Sequence, residues 1–268
     1  MTGSISARLQ SHSPSIPLVT VVTATVGKPC VFEAIASVKR QTYPNVQHLI
    51  FIDNPECPSE MRAEIKHHQA DVIELPYATG ADRFLGHRIY GASAFLSKGD
   101  FISFLDDDNW FDSNHIESLM AIVRSGYDWA YSLRKIVDGE GNFLCYDDCE
   151  SLGRWPTFLA DDDHLVDTNC YFLPKWIALR TSHFWYARFR EPDRPDPDRN
   201  LASYLLKQRI TCETSGRYSV NYRLGSTENS VADDFFVEGN AKMLAKYYGK
   251  LPWKDSQRVM APKRFVPN

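Results

Sequence analysis

Apolar and polar positions alternate along the first hundred residues in a way that predicts strands and helices in turn. The β-branched run LVTVVT at 18–23 predicts a buried strand, and the next segment places Val31, Ile35 and Val38 on one helical face. The same order then repeats, with further predicted strands at 46–52, 71–75 and 101–105 and predicted helices at 59–68 and 85–96. We therefore expect a mostly parallel α/β sheet covered by helices on both faces.

The pattern becomes mixed in the second half of the chain. Residues 128–137 and 143–146 are joined by DGEGN, which predicts a hairpin with a glycine-containing turn. Leu201 and Leu205 lie four residues apart and predict a helix. Beyond about residue 232 the tail is rich in aromatic residues, which predicts either a segment folded back onto the core or a contact between copies of the chain.

Composition narrows the classes of protein to consider. With 268 residues, we expect one compact unit, and a net charge of −4 gives no basic surface for nucleic acid. No apolar run is long enough to span a bilayer. The first residues, MTGSISARLQSHSPSIP, are polar and lack the apolar stretch of a secretion signal, so we expect a disordered lead and a cytoplasmic protein.

The sharpest chemical signal follows the strand predicted at 101–105. That strand continues into Asp106, Asp107 and Asp108, and parallel sheets bind ligands beyond the carboxyl ends of their strands. In an extended segment Asp106 and Asp108 point the same way, which suits a hydrated Mg²⁺ or Mn²⁺ that bridges a diphosphate. Helix capping alone would need one aspartate or Asn109, and three adjacent carboxylates repel each other without a cation.

A family resemblance rests on several motifs in order. The segment PLVTVVTATVGKPCVFEAIASVKRQTYPNVQHLIFIDN, followed by GDFISFLDDDNW, resembles the nucleotide-binding half of GT-A glycosyltransferases, specifically the inverting family two. The resemblance covers roughly residues 17–225. It implies a GT-A type fold and metal-assisted transfer of a sugar, with inversion, from a nucleotide-sugar donor to a saccharide or other hydroxyl acceptor. A UDP-linked donor is favoured, because relatives usually bind uracil.

The resemblance also divides the chain. It implies a nucleotide-sugar-binding half at 17–110 and an acceptor-binding and catalytic half at 111–225. A disordered lead at 1–16 precedes them, and a C-terminal helical tail at 226–268 follows them.

Donor-binding residues are carried over position by position. Asp53, at the end of FIDN, matches the aspartate that contacts the nucleotide base, although a turn role is the plain alternative for it. Arg83 and Arg88 compete for the arginine near the donor phosphates. The full donor-binding set that the resemblance implies is Thr23, Ala24, Thr25, Asp53, Arg83, Arg88, Asp107, Tyr222 and Arg223.

The general base and a third metal ligand come from the second half. In the resembling family the base lies in an acidic pair that opens a helix, which implies Asp198, with Asp196 as its substitute. His164 is a candidate third ligand beside Asp106 and Asp108, although a lone histidine is more often structural. A second triplet, 161–163, lies in a polar segment with no strand before it, so we expect an exposed acidic loop there.

Two other classes compete with this interpretation. A nucleotidyltransferase shares the alternating sheet but normally carries a glycine-rich phosphate loop, whereas TATVGKP contains a single glycine. A module that binds a nucleotide sugar without catalysis would keep the pocket and lack the base.

Overall fold

A computed structural model describes residues 16–68, 71–81, 83–187, 196–225 and 233–255. Within these ranges nine strands form one sheet. The strands are β1 (Val19–Thr25), β2 (Val46–Ile52), β3 (Asp71–Glu74), β4 (Phe101–Phe104), β5 (Trp110–Phe111), β6 (Trp129–Val137), β7 (Phe143–Tyr146), β8 (Tyr171–Pro174) and β9 (Cys212–Arg223).

Eight α-helices are described beside the sheet, together with two short 3-10 helices. The 3-10 helices span Thr168–Cys170 and Ser182–Trp185. The α-helices are α1 (Val31–Lys39), α2 (Ser59–His67), α3 (His87–Leu96), α4 (His115–Arg124), α5 (Lys175–Thr181), α6 (Pro197–Leu206), α7 (Asp233–Lys246) and α8 (Pro252–Asp255).

The sheet runs in the order β3-β2-β1-β4-β8-β6-β9-β5, and β7 pairs with β6. The first four strands in this order pair in parallel, as the alternation of strands and helices predicted. Parallel pairing directs the carboxyl ends of β1, β2 and β4 to the same edge of the sheet. The predicted fold class, an α/β fold of GT-A type, is confirmed.

The other half of the sheet is mixed. β8 runs antiparallel to both of its neighbours, β4 and β6, whereas β9 pairs in parallel with β6. β6 and β7 form the predicted hairpin, and their turn is closed by Asp138, whose Oδ1 accepts hydrogen bonds from the backbone of Glu140 and Asn142. Strand β8 was not predicted, because its four residues give too short an apolar run to distinguish a strand from a loop.

The C-terminal tail folds back onto the sheet in its described part. Phe236, Met243 and Trp253 are buried against Leu133 and Ile136 of β6. This agrees with one of the two predicted roles of the tail, and a contact between copies of the chain stays a prediction. None of the described helices combines the length and apolarity that crossing a membrane requires.

Two sequence predictions need correction. The helix predicted from residue 85 begins at His87. Leu85 has a φ of 48°, a left-handed conformation that an α-helix does not contain, and its side chain is exposed. Gly86 follows that turn, where a Cβ atom would lie 3.0 Å from the side chain of Ala24. The second acidic triplet is exposed only at its first two residues, since Asp163 is half-buried and pairs with Arg199.

Candidate active site

A cleft of about 590 Å³ opens beyond the carboxyl ends of β1, β2 and β4. Its walls bring together the strand ends of the first half, the N-terminal end of α6 and the end of β9. The residues predicted for the site that line this cleft are Ala24, Thr25, Asp53, Asp106, Asp107, Asp108, Asp196, Asp198, Tyr222 and Arg223. Residues distant in sequence therefore meet in one pocket.

Asp106 accepts more side-chain hydrogen bonds than either of the two aspartates that follow it. Its carboxylate accepts hydrogen bonds from the Tyr90 hydroxyl and, at 2.8 Å, from Asn169 Nδ2. The backbone N–H of Asp106 donates to Asn169 Oδ1 at 2.6 Å. Burial, reinforced by the negative charge of Asp108, raises the pKa of Asp106 to about 7. A cation in the cleft would offset both effects and favour the ionised carboxylate.

Asp107 and Asp108 are held by different partners. The Thr25 hydroxyl donates to Asp107 Oδ2 at 2.7 Å, and burial raises the pKa of Asp107 to about 6. Arg223 fixes the backbone of this turn, because its Nε donates to the carbonyl of Asp108 at 3.1 Å. The backbone N–H of Arg223 donates to Asn109 Oδ1 at 2.9 Å. The end of β9 thus holds the aspartate turn in place.

Asp53 lies at the end of β2 and is only 4% exposed. Its Oδ1 accepts the backbone N–H of Thr79 at 2.6 Å, and its Oδ2 accepts the Thr79 hydroxyl at 3.0 Å. These bonds join the loop after β3 to the cleft. Thr23 lies two residues deeper in β1 than Thr25, where its hydroxyl contacts His48 at 3.0 Å, and it does not line the cleft.

Three other predicted residues do not line the cleft. Arg88 donates to the carbonyl of Thr79 at 2.7 Å and stacks on the ring of Phe84, so it supports the loop that binds Asp53. Arg83 is exposed and has a φ of 63°. His164 contacts the carbonyl of Gly153 through Nδ1 at 3.0 Å. The described structure does not bring His164 into the cleft with the aspartates.

Asp198 lies in the first turn of α6 and lines the cleft. Its Oδ1 accepts the backbone N–H of Arg199 at 2.8 Å. Burial is the main cause that raises the pKa of Asp198 to about 7, and the negative charge of Asp167 adds to it. A carboxylate with this pKa exchanges protons readily near neutral pH, which is the property of a general base.

A buried network of charged side chains connects the region of Asp106 with helix α6, which carries Asp198. Arg134 is almost fully buried and pairs with Asp147 at 2.7 Å, with Glu150 at 2.6 Å and with Asp167 at 2.5 Å. Glu150 also pairs with Arg199 of α6 at 3.1 Å. Satisfied networks of this kind fix side chains rigidly, whereas removal of one partner leaves a costly buried charge.

Asn169 connects this network to the aspartate turn. Its Nδ2 lies 2.9 Å from Asp167 Oδ1 and 2.8 Å from Asp106 Oδ2. A chain of contacts therefore runs from Asp106 through Asp167 and Arg134 to α6.

Sequence analysis missed several residues that line or support the cleft. Tyr90 belongs to the apolar face of α3 by its spacing, and nothing in the sequence shows that its hydroxyl reaches Asp106. Asn169 lies two residues after Asp167 in a polar segment near His164, and the sequence favoured His164 from that region. Lys28 lies in the TATVGKP loop and His87 begins α3; both line the cleft, and burial lowers the pKa of His87 to about 4, so its ring is neutral.

The donor set of the cleft suits a divalent cation that keeps much of its hydration. Among the described residues no group of three or more His, Cys, Asp or Glu side chains could hold a metal ion by itself. Asp106 and Asp108 supply two carboxylates, and the negative charge of Asp108 raises the pKa of Asp106, an effect that Mg²⁺ or Mn²⁺ would relieve. Mg²⁺ typically takes one or two protein carboxylates and completes its shell with water and phosphate oxygens.

The fold and the cleft define an α/β protein with an acidic ligand site beyond the ends of parallel strands. The sequence model of the family described as glycosyl transferase family 2 matches residues 20–186. The chain belongs to glycosyl transferase family 2, and its activity is glycosyl transfer. A Haemophilus influenzae protein described as uncharacterized is 31% identical over 114 residues, which cover 36% of this chain and 72% of that protein.

Solved structures show the same fold at low sequence identity. S. aureus TarS superposes with a TM-score of 0.55 and 12% identity over 86% of this chain, which spans only 43% of the TarS chain. TarS 1-349 in complex with UDP-GlcNAc gives a TM-score of 0.56 and 15% identity, with 89% of this chain and 69% of that chain covered.

An archaeal structure is similar to the same extent. The mannosyltransferase PcManGT from Pyrobaculum calidifontis, in complex with GDP-Man and Mn²⁺, gives a TM-score of 0.56 and 10% identity over 91% of this chain and 70% of that chain. At these identities the similarity concerns the fold.

Proposed function

We propose that this protein transfers a sugar from a nucleoside diphosphate sugar, with a UDP-linked donor favoured, to a hydroxyl of a saccharide or similar acceptor, with inversion at the anomeric carbon. The observation that carries the proposal is the meeting of three acidic positions in one cleft. Asp53, the turn of Asp106 to Asp108, and Asp198 all line it.

The donor occupies the strand-end side of the cleft in this proposal. Asp53 would accept hydrogen bonds from the nucleotide base, as the family resemblance implies, and Ala24 and Thr25 would border the nucleoside. Two structures with this fold contain nucleotide sugars, UDP-GlcNAc in one and GDP-Man in the other. Lys28 lines the cleft, whereas Arg83 and Arg88 do not, and we propose Lys28 as a phosphate contact in their place.

Asp106 and Asp108 would hold Mn²⁺ or Mg²⁺ against the diphosphate. When bound, the cation neutralises the negative charge that the leaving diphosphate develops. Asp106 is oriented for this by Tyr90 and Asn169, and both neighbours donate to its carboxylate. Mn²⁺ in the PcManGT complex is consistent with this choice of ion.

Asp198 would remove the proton from the acceptor hydroxyl on the side opposite the diphosphate. A single in-line displacement with one base forms no covalent sugar intermediate, so the anomeric centre inverts. Asp198 and the aspartate turn line the same cleft, which supports this role. Asp196 lies two residues earlier, also at the cleft, and is the substitute candidate.

The test measures the thermal stability of the protein with UDP, GDP and their sugar conjugates, each in Mn²⁺, in Mg²⁺ and in EDTA. A nucleotide held through a metal should stabilise the fold far more with the cation than with EDTA. Equal stabilisation in all three conditions would remove the metal from the proposal. Donor binding without transfer to any tested hydroxyl acceptor, and without hydrolysis of the donor, would favour the non-catalytic module.

A further inference from the structure

A second cavity of about 500 Å³ lies at the far end of α6 from the cleft. It is bordered by α5, by the C-terminal part of α6 and by the segment that leads into β9. Asp198 and Leu205 lie seven residues apart on α6, so the two sites are separated by about 10 Å along that helix. We call this cavity the basic groove and define it by Trp176, Arg180, Tyr204, Lys207 and Arg209.

The groove carries positive charge with no acidic lining. Arg180, Lys207 and Arg209 border it, and no aspartate or glutamate does among the described residues. All three are exposed, and none has an ion-pair partner within the described part of the chain. The positive charge of the groove contrasts with the net charge of −4 of the whole chain. An uncompensated basic patch on an acidic protein attracts anions.

Helix dipoles explain only part of this patch. Arg180 lies in the last turn of α5 and Lys207 at the C-terminal cap of α6, where cations stabilise the carbonyl ends of helices. Arg209 lies beyond both helices, and Trp176 lies in the first turn of α5 with half of its surface exposed. Trp176 does not stabilise a helix dipole, and half of its surface lies outside the hydrophobic core, so neither explains its position in the groove.

We infer that the basic groove binds an acidic saccharide, carrying carboxylate or phosphate groups, as a distal part of the acceptor. The open face of Trp176 would contact the apolar face of a sugar ring, and the three cations would pair with its anionic groups. The cavity is concave, which suits a chain that enters it better than a flat lipid surface. The identity of the occupant as acceptor rests on the proposed function.

The test is direct binding, measured by fluorescence as protection of Trp176 from quenching by acrylamide. The probes are oligogalacturonate, neutral chitohexaose and inorganic phosphate, and a Trp176→Phe variant gives the background of the other tryptophans. We expect oligogalacturonate to protect Trp176, with binding that weakens as salt rises. Chitohexaose and phosphate should protect it much less.

Two double variants distinguish the effect of positive charge in the groove on binding from the effect of positive charge elsewhere on the surface. Lys207→Gln with Arg209→Gln should weaken oligogalacturonate binding about tenfold, the scale expected when two exposed charge pairs with an anionic ligand are lost together. Arg217→Gln with Lys250→Gln removes the same charge from exposed positions outside the groove and should leave binding unchanged. All four positions are exposed, so both double variants are expected to fold.

Several outcomes would overturn the inference. Equal weakening by the two double variants would show a diffuse charge effect, and equal protection by chitohexaose would remove the acidic requirement. Protection by vesicles containing phosphatidylglycerol, without protection by oligogalacturonate, would assign the groove to a lipid surface. Nucleotide-sugar binding is measured separately, so donor binding without groove binding would refute this inference alone. Groove binding without donor binding would refute the proposed function and the role of the occupant as acceptor, but not the binding of an acidic saccharide.

Discussion

The two halves of the sheet position their cleft residues by different means. In the half formed by β1 to β4, Asp53 and Asp106 follow directly from the ends of parallel strands, and the backbone of the sheet fixes them. In the mixed half, Asp198 lies in the first turn of helix α6 and not at the end of a strand. That helix is packed in the core through Leu201, Ala202 and Leu205, and Arg199, which follows Asp198, pairs with Glu150 of the side-chain network.

This difference predicts where substitutions act. A carboxylate at a strand end keeps its backbone position when its neighbours change, so its loss should remove only its own chemistry. Its orientation depends on the few side chains that donate to it, as Asn169 does to Asp106. A residue held through side chains depends on each member of the network, so changes at a distance should alter its position or its pKa. The following four predictions test that contrast, from the largest expected effect to the smallest.

Asp198→Asn should lower kcat about a hundredfold to ten-thousandfold, because general-base catalysis contributes on this scale. Donor affinity should stay unchanged, since the proposed task of Asp198 begins only when an acceptor is deprotonated. Steady-state transfer and nucleotide-sugar titration measure the two quantities. Asp196→Asn is the matched control and should cost much less. Near-normal transfer by Asp198→Asn, or a product with retained configuration by NMR, would show that the base lies elsewhere.

Asp108→Asn should lower transfer about a hundredfold to a thousandfold, on the scale of losing one electrostatic contact to the transition state. Unlike Asp198→Asn, it should also abolish the extra stabilisation that Mn²⁺ gives to the nucleotide complex. The control is Asp162→Asn in the second acidic triplet, where the side chain is exposed. If the two variants lost activity to the same extent, the metal would have been assigned to the wrong acidic cluster.

Asn169→Ala should lower transfer about tenfold to a hundredfold, which is the usual cost of removing a group that orients a metal ligand. The variant deletes the amide that joins Asp167 to Asp106, so the apparent affinity for Mn²⁺ in the nucleotide complex should fall with it. Asn221→Ala is the control, because Asn221 is also buried but contacts Trp110 and Asp112. A comparable loss of Mn²⁺ affinity in both variants would indicate general destabilisation.

The same contrast explains how far the sequence alone could lead. Periodicity predicted β1, β2, β4 and their helices, because each is a local pattern of apolar residues on one face. Asp106 and Asp108 were predicted for the same reason, since an aspartate run after a buried strand is visible without tertiary contacts. The family resemblance pointed to Asp198, and the structure brings that residue to the cleft.

Such local patterns could not predict contacts between residues that are distant in the sequence. Tyr90 meets Asp106 across 16 residues and Asn169 meets it across 63. Arg134 lies in the strand β6, where the alternation of positions predicts only that a side chain faces one side of the sheet or the other. Its three carboxylate partners come from segments that carry no regular pattern. Charge networks depend on which segments meet, and composition and spacing do not encode that.

The smallest expected effect is a shift in the pH dependence of transfer in Arg199→Gln. In the native protein the positive charge of Arg199 lowers the pKa of Asp198, against the larger opposing effect of burial, and the result is about 7. A base must be ionised to act, so kcat/KM should rise with pH through that region and level off above it. Glutamine removes the charge, so the pKa of Asp198 should rise and the ascending limb should move to higher pH. The backbone N–H that donates to Asp198 remains, so the plateau rate should change little. The pH profile of Arg217→Gln, at an exposed arginine outside the network, should match that of the native protein. A limb that moved to lower pH in Arg199→Gln, or a plateau that collapsed with no shift, would show that Arg199 acts on the fold of α6 and not on the ionisation of Asp198.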